Sequence, residues 1–311
     1  MSLAPYVQIV ARGKGRSRAL SMAEAQEAMQ LILAGHAAPE AVGALLMVLR
    51  LRGEEPQEIA GFTAALRIQV QGKLPSADLD WPCYAAGRSR GAPLFLLAAR
   101  LVSNAGYSVS MHGWNSHQSG AASLRAALDL AGPRVTYTAL ETISPEAFSL
   151  LNLRDTFGLR SCFNTVLRMW NPSQAPATVQ GVFHPSYRGL QAQAAEMLGQ
   201  QDMSIIKGGG GEFERNPAKE VRVFGLRNGA HIQKTAAPIL SETRRLHEVS
   251  RTVDIRGLWH GGIQDSFAKA TITGTAAIGL WTLKAAPSLL AAQNMAEALW
   301  DSRHNQRGLT A

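Results

Sequence analysis

Near residue 75 the period of the apolar residues changes, and that change bounds the folds open to this chain. Upstream the spacing is helical. Ser21 to Glu24 reads as a capping box, with the serine capping the turn and the glutamate reaching back to it. Met22, Ala25, Met29, Ile32 and Leu33 then form an apolar stripe, which Gly35 ends. Pro39 starts a second helix with Val42, Leu45, Leu46 and Leu49 on one face, ending at Gly53. Pro56 starts a third, through Ile59, Phe62 and Leu66. Three short amphipathic helices make a small module that needs further partners to close its core.

Downstream the pattern alternates. After the connector at 73–82, WPCYAAG (81–87) reads as a strand, 92–105 as a buried helix and YSVSM (107–111) as a strand. Strand–helix–strand with short links is a right-handed parallel unit. A helix at about 119–130 and a strand at 134–138 extend it. SPEAF (144–148) is a serine cap with proline at the first helical position, opening a helical stretch to about residue 170. MSIIK (203–207) is a buried strand. EVRVFGL, then Arg227-Asn228-Gly229-Ala230, then HIQKT predicts a hairpin, because both central turn residues tolerate positive φ. The remainder, from Ser241 to about His304, reads as mostly helical. The expected fold class is α/β, with a small all-helical subdomain and a larger α/β domain whose mostly parallel central sheet is flanked by helices. The segments fall as 1–75 with 144–175 (helical) and 76–143 with 176–311 (α/β).

The chain has 311 residues, 46% hydrophobic and 17% charged, which excludes a disordered chain and permits a real core. Its two cysteines, Cys83 and Cys162, make no CxxC pair, so a zinc site or redox dithiol is not expected, and free thiols suit a reducing compartment. No run approaches the roughly 18 apolar residues of a membrane span. The N-terminus lacks a signal-peptide core. A cytoplasmic protein with no membrane partner is the expectation. The formal net charge of +8 suggests a polyanionic partner.

Candidate binding residues follow from that charge. Residues 84–101, YAAGRSRGAPLFLLAARL, place Gly87, Arg88, Ser89 and Arg90 between a strand and a helix. An arginine fork grips phosphate bidentately and a helix N-terminus adds amide donors. The bland reading is a turn with two solvated arginines. Lys207 precedes Gly208 and three more glycines, whose amides could form an anion nest or a plain flexible loop. Arg12, Lys14, Arg16 and Arg18, with Arg50 and Arg52 nearby, suit a phosphate backbone or a solvated basic surface. Trp114 could stack on a base or fill a pocket. His184, His231, His247 and His260 show no metal spacing.

Residues 20–67 closely resemble the N-terminal helices of the anthranilate phosphoribosyltransferase and nucleoside phosphorylase family, glycosyltransferase family 3. LRDTFGLRSCFNTVLRMWNP (153–172), GVFHP (181–185) and IIKGGGGEFE (205–214) fall where that family has its own segments. The resemblance implies a homodimer formed through the helical subdomain, by apolar positions of its first and third helices. It also implies an acceptor-side pocket with Arg154 and Trp114, and phosphate contacts at His112, Gly113, Asn115 and Ser116. The family's Gly-Thr-Gly-Gly-Asp is here Ala86-Gly87-Arg88-Ser89-Arg90-Gly91. Its Lys-His-Gly-Asn-Arg-Ser is Met111-His112-Gly113-Trp114-Asn115-Ser116. Its Mg²⁺-organising acidic pair aligns with Phe213 and Glu214, with Glu212 two positions before Glu214 as a weak second ligand. Pyrophosphate departure needs close backbone approach and carboxylate-held Mg²⁺, and both are altered. A subgroup of paralogues with the same losses binds single-stranded nucleic acid as dimers, and KGGGGEFERNP resembles its motif. The expected function is therefore binding of single-stranded nucleic acid, DNA or RNA, or of a phosphorylated ligand, with no cofactor required and no confident catalytic residue. The alternative is an active transferase using phosphoribosyl pyrophosphate and Mg²⁺ with altered acceptor specificity.

Overall fold

The computed structural model describes residues 2–13, 15–84, 91–114, 123–242, 245–246 and 253–304. The N-terminal part is helical: α1 (Ala4–Ala11), α2 (Met22–Leu33), α3 (Pro39–Arg52) and α4 (Pro56–Val70). The larger part carries β1 (Leu79–Cys83), α5 (Leu94–Asn104), β2 (Val109–Gly113), β3 (Val135–Ala139), α6 (Leu140–Ile143), α7 (Pro145–Phe157), α8 (Phe163–Arg168), β4 (Ala177–Val182), α9 (Tyr187–Met197) and β5 (Asp202–Lys207). The hairpin β6 (Val221–Arg227) and β7 (Ala230–Ala236) follows, then α10 (Ile255–His260), α11 (Ser266–Thr282) and α12 (Leu289–Asp301).

The seven strands form one sheet in the order β3-β2-β1-β4-β5-β6-β7. Pairs from β3 to β5 are parallel, and β6 and β7 are antiparallel. Every residue of β1, β2 and β4 is buried, as a parallel sheet covered on both faces requires. Trp81, Phe95, Phe213 and Ile278 belong to the core shared with α5 and α11. Met29, Phe62, Phe163, Trp170 and Ile205 belong to the second core, on the side of the N-terminal helices.

The capping signals hold. Ser21 Oγ accepts the Glu24 amide and the Glu24 carboxylate accepts the Ser21 amide, completing the box. Ser144 caps α7 through the Ala147 amide. Asn228 (φ 53°) and Gly229 (φ 76°) make the β6–β7 turn.

The structure adds to these readings or departs from them at four places. Ahead of the basic cluster 12–18 stands a helix, α1, with Pro5 in its first turn. Residues 125–130 form only a 3-10 turn. His112 and Gly113 are the last two residues of β2. Of the apolar positions of α2 and α4 expected at a dimer face, Met29, Ile59, Phe62 and Leu66 are fully buried within the chain, whereas Ile68 is 55% exposed.

β1 sits where the strand order reverses, with β2 on one side and β4 on the other. Its pairing with β4 covers only Leu79↔Ala177 and Asp80↔Thr178. Pro82 supplies no amide proton beyond that point, and among the described residues the β1–β4 ladder ends there. Such a switch point is where open α/β sheets place ligands.

Candidate functional site

A cavity of about 160 Å³ lies at the C-terminal end of β4, between that strand, α3, α8 and α9. Arg50 from the end of α3, Arg160 from the α7–α8 connection and Arg168 from α8 line it, with Glu54, His184 and Gln191. Arg168 is 6% exposed. Its Nη1 donates to the Asn164 carbonyl at 3.2 Å, and among the described residues its Nη2 has no partner. Burial pulls its pKa down; Glu212 opposes that, and the Arg160 charge adds to it. Arg160 is also lowered, first by burial and then by Arg154. Three guanidinium groups thus follow one another through the segment 154–168. Gln191 is 1% exposed and its Oε1 likewise has no partner. Glu54 accepts the Tyr187 hydroxyl at 3.0 Å. Burial, with the Glu54 charge, pushes Tyr187 up to about 12.

Of the phosphate-site residues expected from sequence, Gly87, Arg88, Ser89, Arg90, Asn115 and Ser116 lie outside the described residues, as does Lys14. His112 is fully buried. Tyr84 Oη meets its Nδ1 at 2.8 Å and Asp80 Oδ1 its Nε2 at 3.1 Å, so both ring nitrogens are used inside the protein. Asp80 Oδ2 in turn accepts the Thr178 hydroxyl at 2.9 Å. His112 therefore ties β2 to β1 and, through Asp80, to β4. Gly113 is needed for packing: a Cβ there would stand 1.9 Å from the Cys83 carbonyl oxygen. Trp114 stacks on Phe148 of α7, with centroids 5.4 Å apart. Arg154 pairs with Asp155 at 3.6 Å and does not line the cavity.

In the glycine run three of the four amides are used within the backbone. Gly208 donates to the Val182 carbonyl, Gly209 to that of Glu214 and Gly211 to that of Gly208. Lys207 is exposed and lines a second cavity of roughly 390 Å³ with Arg188, Lys219 and Arg222.

The two acids expected to organise Mg²⁺, Glu212 and Glu214, both lie in the interior. Glu212 and Glu214 are 1% and 0% exposed. Glu214 Oε2 accepts the Phe95 amide, and Phe213 between them packs edge-on against Trp81 at 5.2 Å. Among the described residues no three His, Cys, Asp or Glu side chains come together as a metal cluster.

The basic residues divide. Arg12 and Arg16 are exposed. Arg18 forks onto both oxygens of Glu24, at 2.7 Å each. Arg52 pairs with the fully buried Glu58. Arg50 faces the 160 Å³ cavity. Arg160, Arg168 and Gln191 are the site residues that sequence reasoning missed. The only local signal is an arginine, Arg168, inside the otherwise apolar run 166–170.

Comparisons with known proteins agree with this architecture. The family profile "Glycosyl transferase family, helical bundle domain" matches residues 5–69. The anthranilate phosphoribosyltransferase of Geobacillus stearothermophilus is 30% identical over 304 residues, covering 88% of this chain and 85% of the relative. That of Bacillus caldotenax is 32% identical over 68% of this chain and 95% of the relative. The crystal structure of the Thermus thermophilus enzyme superposes with a TM-score of 0.76 at 24% identity, covering 97% of this chain and 95% of the other. The Saccharomyces cerevisiae enzyme in complex with PRPP and Mg gives 0.68 at 17% identity, over 96% and 93%.

Proposed function

The chain belongs to the anthranilate phosphoribosyltransferase family, and from that premise we propose that it is a phosphoribosyltransferase-type protein with altered acceptor specificity. The ligand is a phosphorylated sugar of the phosphoribosyl pyrophosphate type, held where β1 and β4 part. The arginine-lined cavity beside that crevice carries the reading, because it offers fixed cations where charge would be gathered. In such a transfer, pyrophosphate leaves the sugar C1 as the acceptor arrives, so positioning and charge stabilisation dominate. Arg160 and Arg168 would orient an acidic acceptor, and burial among α3, α8 and α9 would exclude water from it. Relatives of this family are named for anthranilate as acceptor, and one is described with PRPP and Mg. No metal-dependent step is assigned to Glu212 or Glu214.

Titration calorimetry with phosphoribosyl pyrophosphate, with and without Mg²⁺, and pyrophosphate release across a panel of acidic acceptors test this. Saturable binding and turnover with an acceptor other than anthranilate are expected. No binding at millimolar ligand would overturn it.

A second reading is binding of single-stranded nucleic acid by a homodimer. Arg188, Lys207, Lys219 and Arg222 converge on one cavity, and the net charge is +8. Its binding would weaken steeply with salt.

A further inference from the structure

We propose that the cavity formed by Arg50, Arg160, Arg168 and Gln191 is a phosphate-monoester site, so that the ligand entering it bears a terminal phosphate. The proposal rests on the transferase reading only in calling that ligand the acceptor.

Three observations lead there. The first is an incomplete donor set. Arg168 is more than nine-tenths buried and lines the cavity, and its Nη2 is buried with no hydrogen-bond partner among the described residues. A buried guanidinium left with an unused donor costs stability unless something accepts from it. The second is charge. Arg50, Arg160 and Arg168 bring three positive charges to the lining, and Glu54 brings one negative. Three minus one leaves a surplus of two, and a phosphate monoester near neutral pH carries close to two negative charges. A lone carboxylate would leave one cation uncompensated. The third is the orphaned acceptor. Gln191 Oε1 is buried without a donor among the described residues, so the ligand presents an O–H or N–H next to its anionic end. A hydroxyl on the carbon skeleton of a sugar phosphate does so, and so does inorganic hydrogen phosphate, which keeps two negative charges.

The geometry also separates this site from the acceptor arginine implied by the family resemblance. Arg154 is already paired with Asp155 and does not line the cavity. Arg168 lies fourteen residues further on, in α8, and faces the cavity that α3 and α9 close.

The test uses the whole protein with inorganic phosphate and ribose 5-phosphate as probes, read by calorimetry and by thermal shift. Wild-type protein is expected to bind both saturably, with a rise in Tm. Arg168→Met and Arg160→Met are each expected to weaken binding at least tenfold. Arg168→Met alone is expected to leave the ligand-free Tm unchanged or raised, because it removes a buried guanidinium whose Nη2 has no hydrogen-bond acceptor among the described residues. An arginine with a merely structural role would lower Tm on removal. Retained phosphate affinity in both variants would place the anion elsewhere and overturn the proposal, as would a wild type that binds neither probe. Phosphoribosyl pyrophosphate titrated in parallel keeps the two readings apart. If it binds wild type and both variants alike while the monoesters do not bind, the transferase reading stands and this one falls.

Discussion

Glu214 Oε2 accepts the backbone N–H of Phe95 at 2.9 Å, joining the loop after β5 to the first turn of α5. The amides of a helix's first turn point outward, and the dipole there favours negative charge. The chain therefore places its own buried carboxylate at the helix end that opens toward the crevice. Glu214→Gln keeps the shape and removes the charge. A hydrogen bond to a charged acceptor then becomes a neutral one, with an expected loss of about 1–2 kcal/mol in urea unfolding. Millimolar Mg²⁺ is expected to leave the wild-type Tm unchanged, since this acid is already engaged. A Mg²⁺-dependent rise that Glu214→Gln abolishes would show that the carboxylate turns to the metal instead.

How much of this was legible in the sequence depends on the range of the interaction. The helices α2 to α4 announce themselves through Ser21, Pro39 and Pro56, whose effects act within one turn. The β6–β7 hairpin follows from Asn228 and Gly229 alone. β4 does not read as a strand, because Thr178 and Gln180 break its apolar run. Thr178 is tolerated in the core only because Asp80, 98 residues away, accepts its hydroxyl. The basic residues mislead for the same reason. Arg18 meets Glu24 six residues on, a spacing that no regular element advertises. Arg168 acquires its meaning from a cavity that α3 and α9 close from distant parts of the chain.

Arg52 separates structure from nucleic-acid binding. Glu58 is fully buried, accepts the Leu20 and Glu55 amides at 2.9 Å each, and pairs with Arg52. Arg52→Met strands that carboxylate, with an expected cost of about 3 kcal/mol, because breaking a buried pair leaves an uncompensated charge. In an oligonucleotide titration, Arg52→Met is expected to keep the wild-type affinity so long as the protein is folded. Arg12→Gln with Arg16→Gln, at exposed positions, is expected to weaken any binding and to shallow its salt slope by about two. Equal losses from both variants would contradict this division.

Gly208 is a steric requirement. Its φ of −100° suits any residue, so conformational freedom is not the reason for it. A Cβ would stand 1.6 Å from the Glu212 carbonyl oxygen. Gly181 on β4 faces the same backbone, with a Cβ 2.1 Å from the Glu212 carbonyl carbon. The loop 208–214 is clamped between these two glycines. Gly208→Ala is expected to destabilise by about 3 kcal/mol or more, as overpacking against backbone does. Chemical denaturation measures it. Gly189→Ala, where nothing lies within 4 Å, serves as the control and is expected to stay near wild type.

The ion pair of Arg18 and Glu24 gives the chain an acid-sensitive helix start. The Arg18 fork, joined by the Ser21 amide, lowers the Glu24 carboxyl from its ordinary 4.5 to about 2. The folded-state value lies below the unfolded one. The stabilisation is therefore complete above 4.5 and is lost as pH falls towards 2. Within that window the unfolded chain binds more protons, so stability rises with pH. The Arg18 side chain is 57% exposed and that of Glu24 27%. Screening by solvent limits the effect to about 0.5–1 kcal/mol. Glu24→Gln is expected to lower stability near neutral pH and to flatten the acid limb relative to wild type. Urea midpoints compared at about pH 5 and about pH 3 isolate the contribution of Glu24 from the other carboxylates. High salt should shrink the difference between the two proteins. Parallel acid limbs for wild type and Glu24→Gln would show that the fork does not hold the charge.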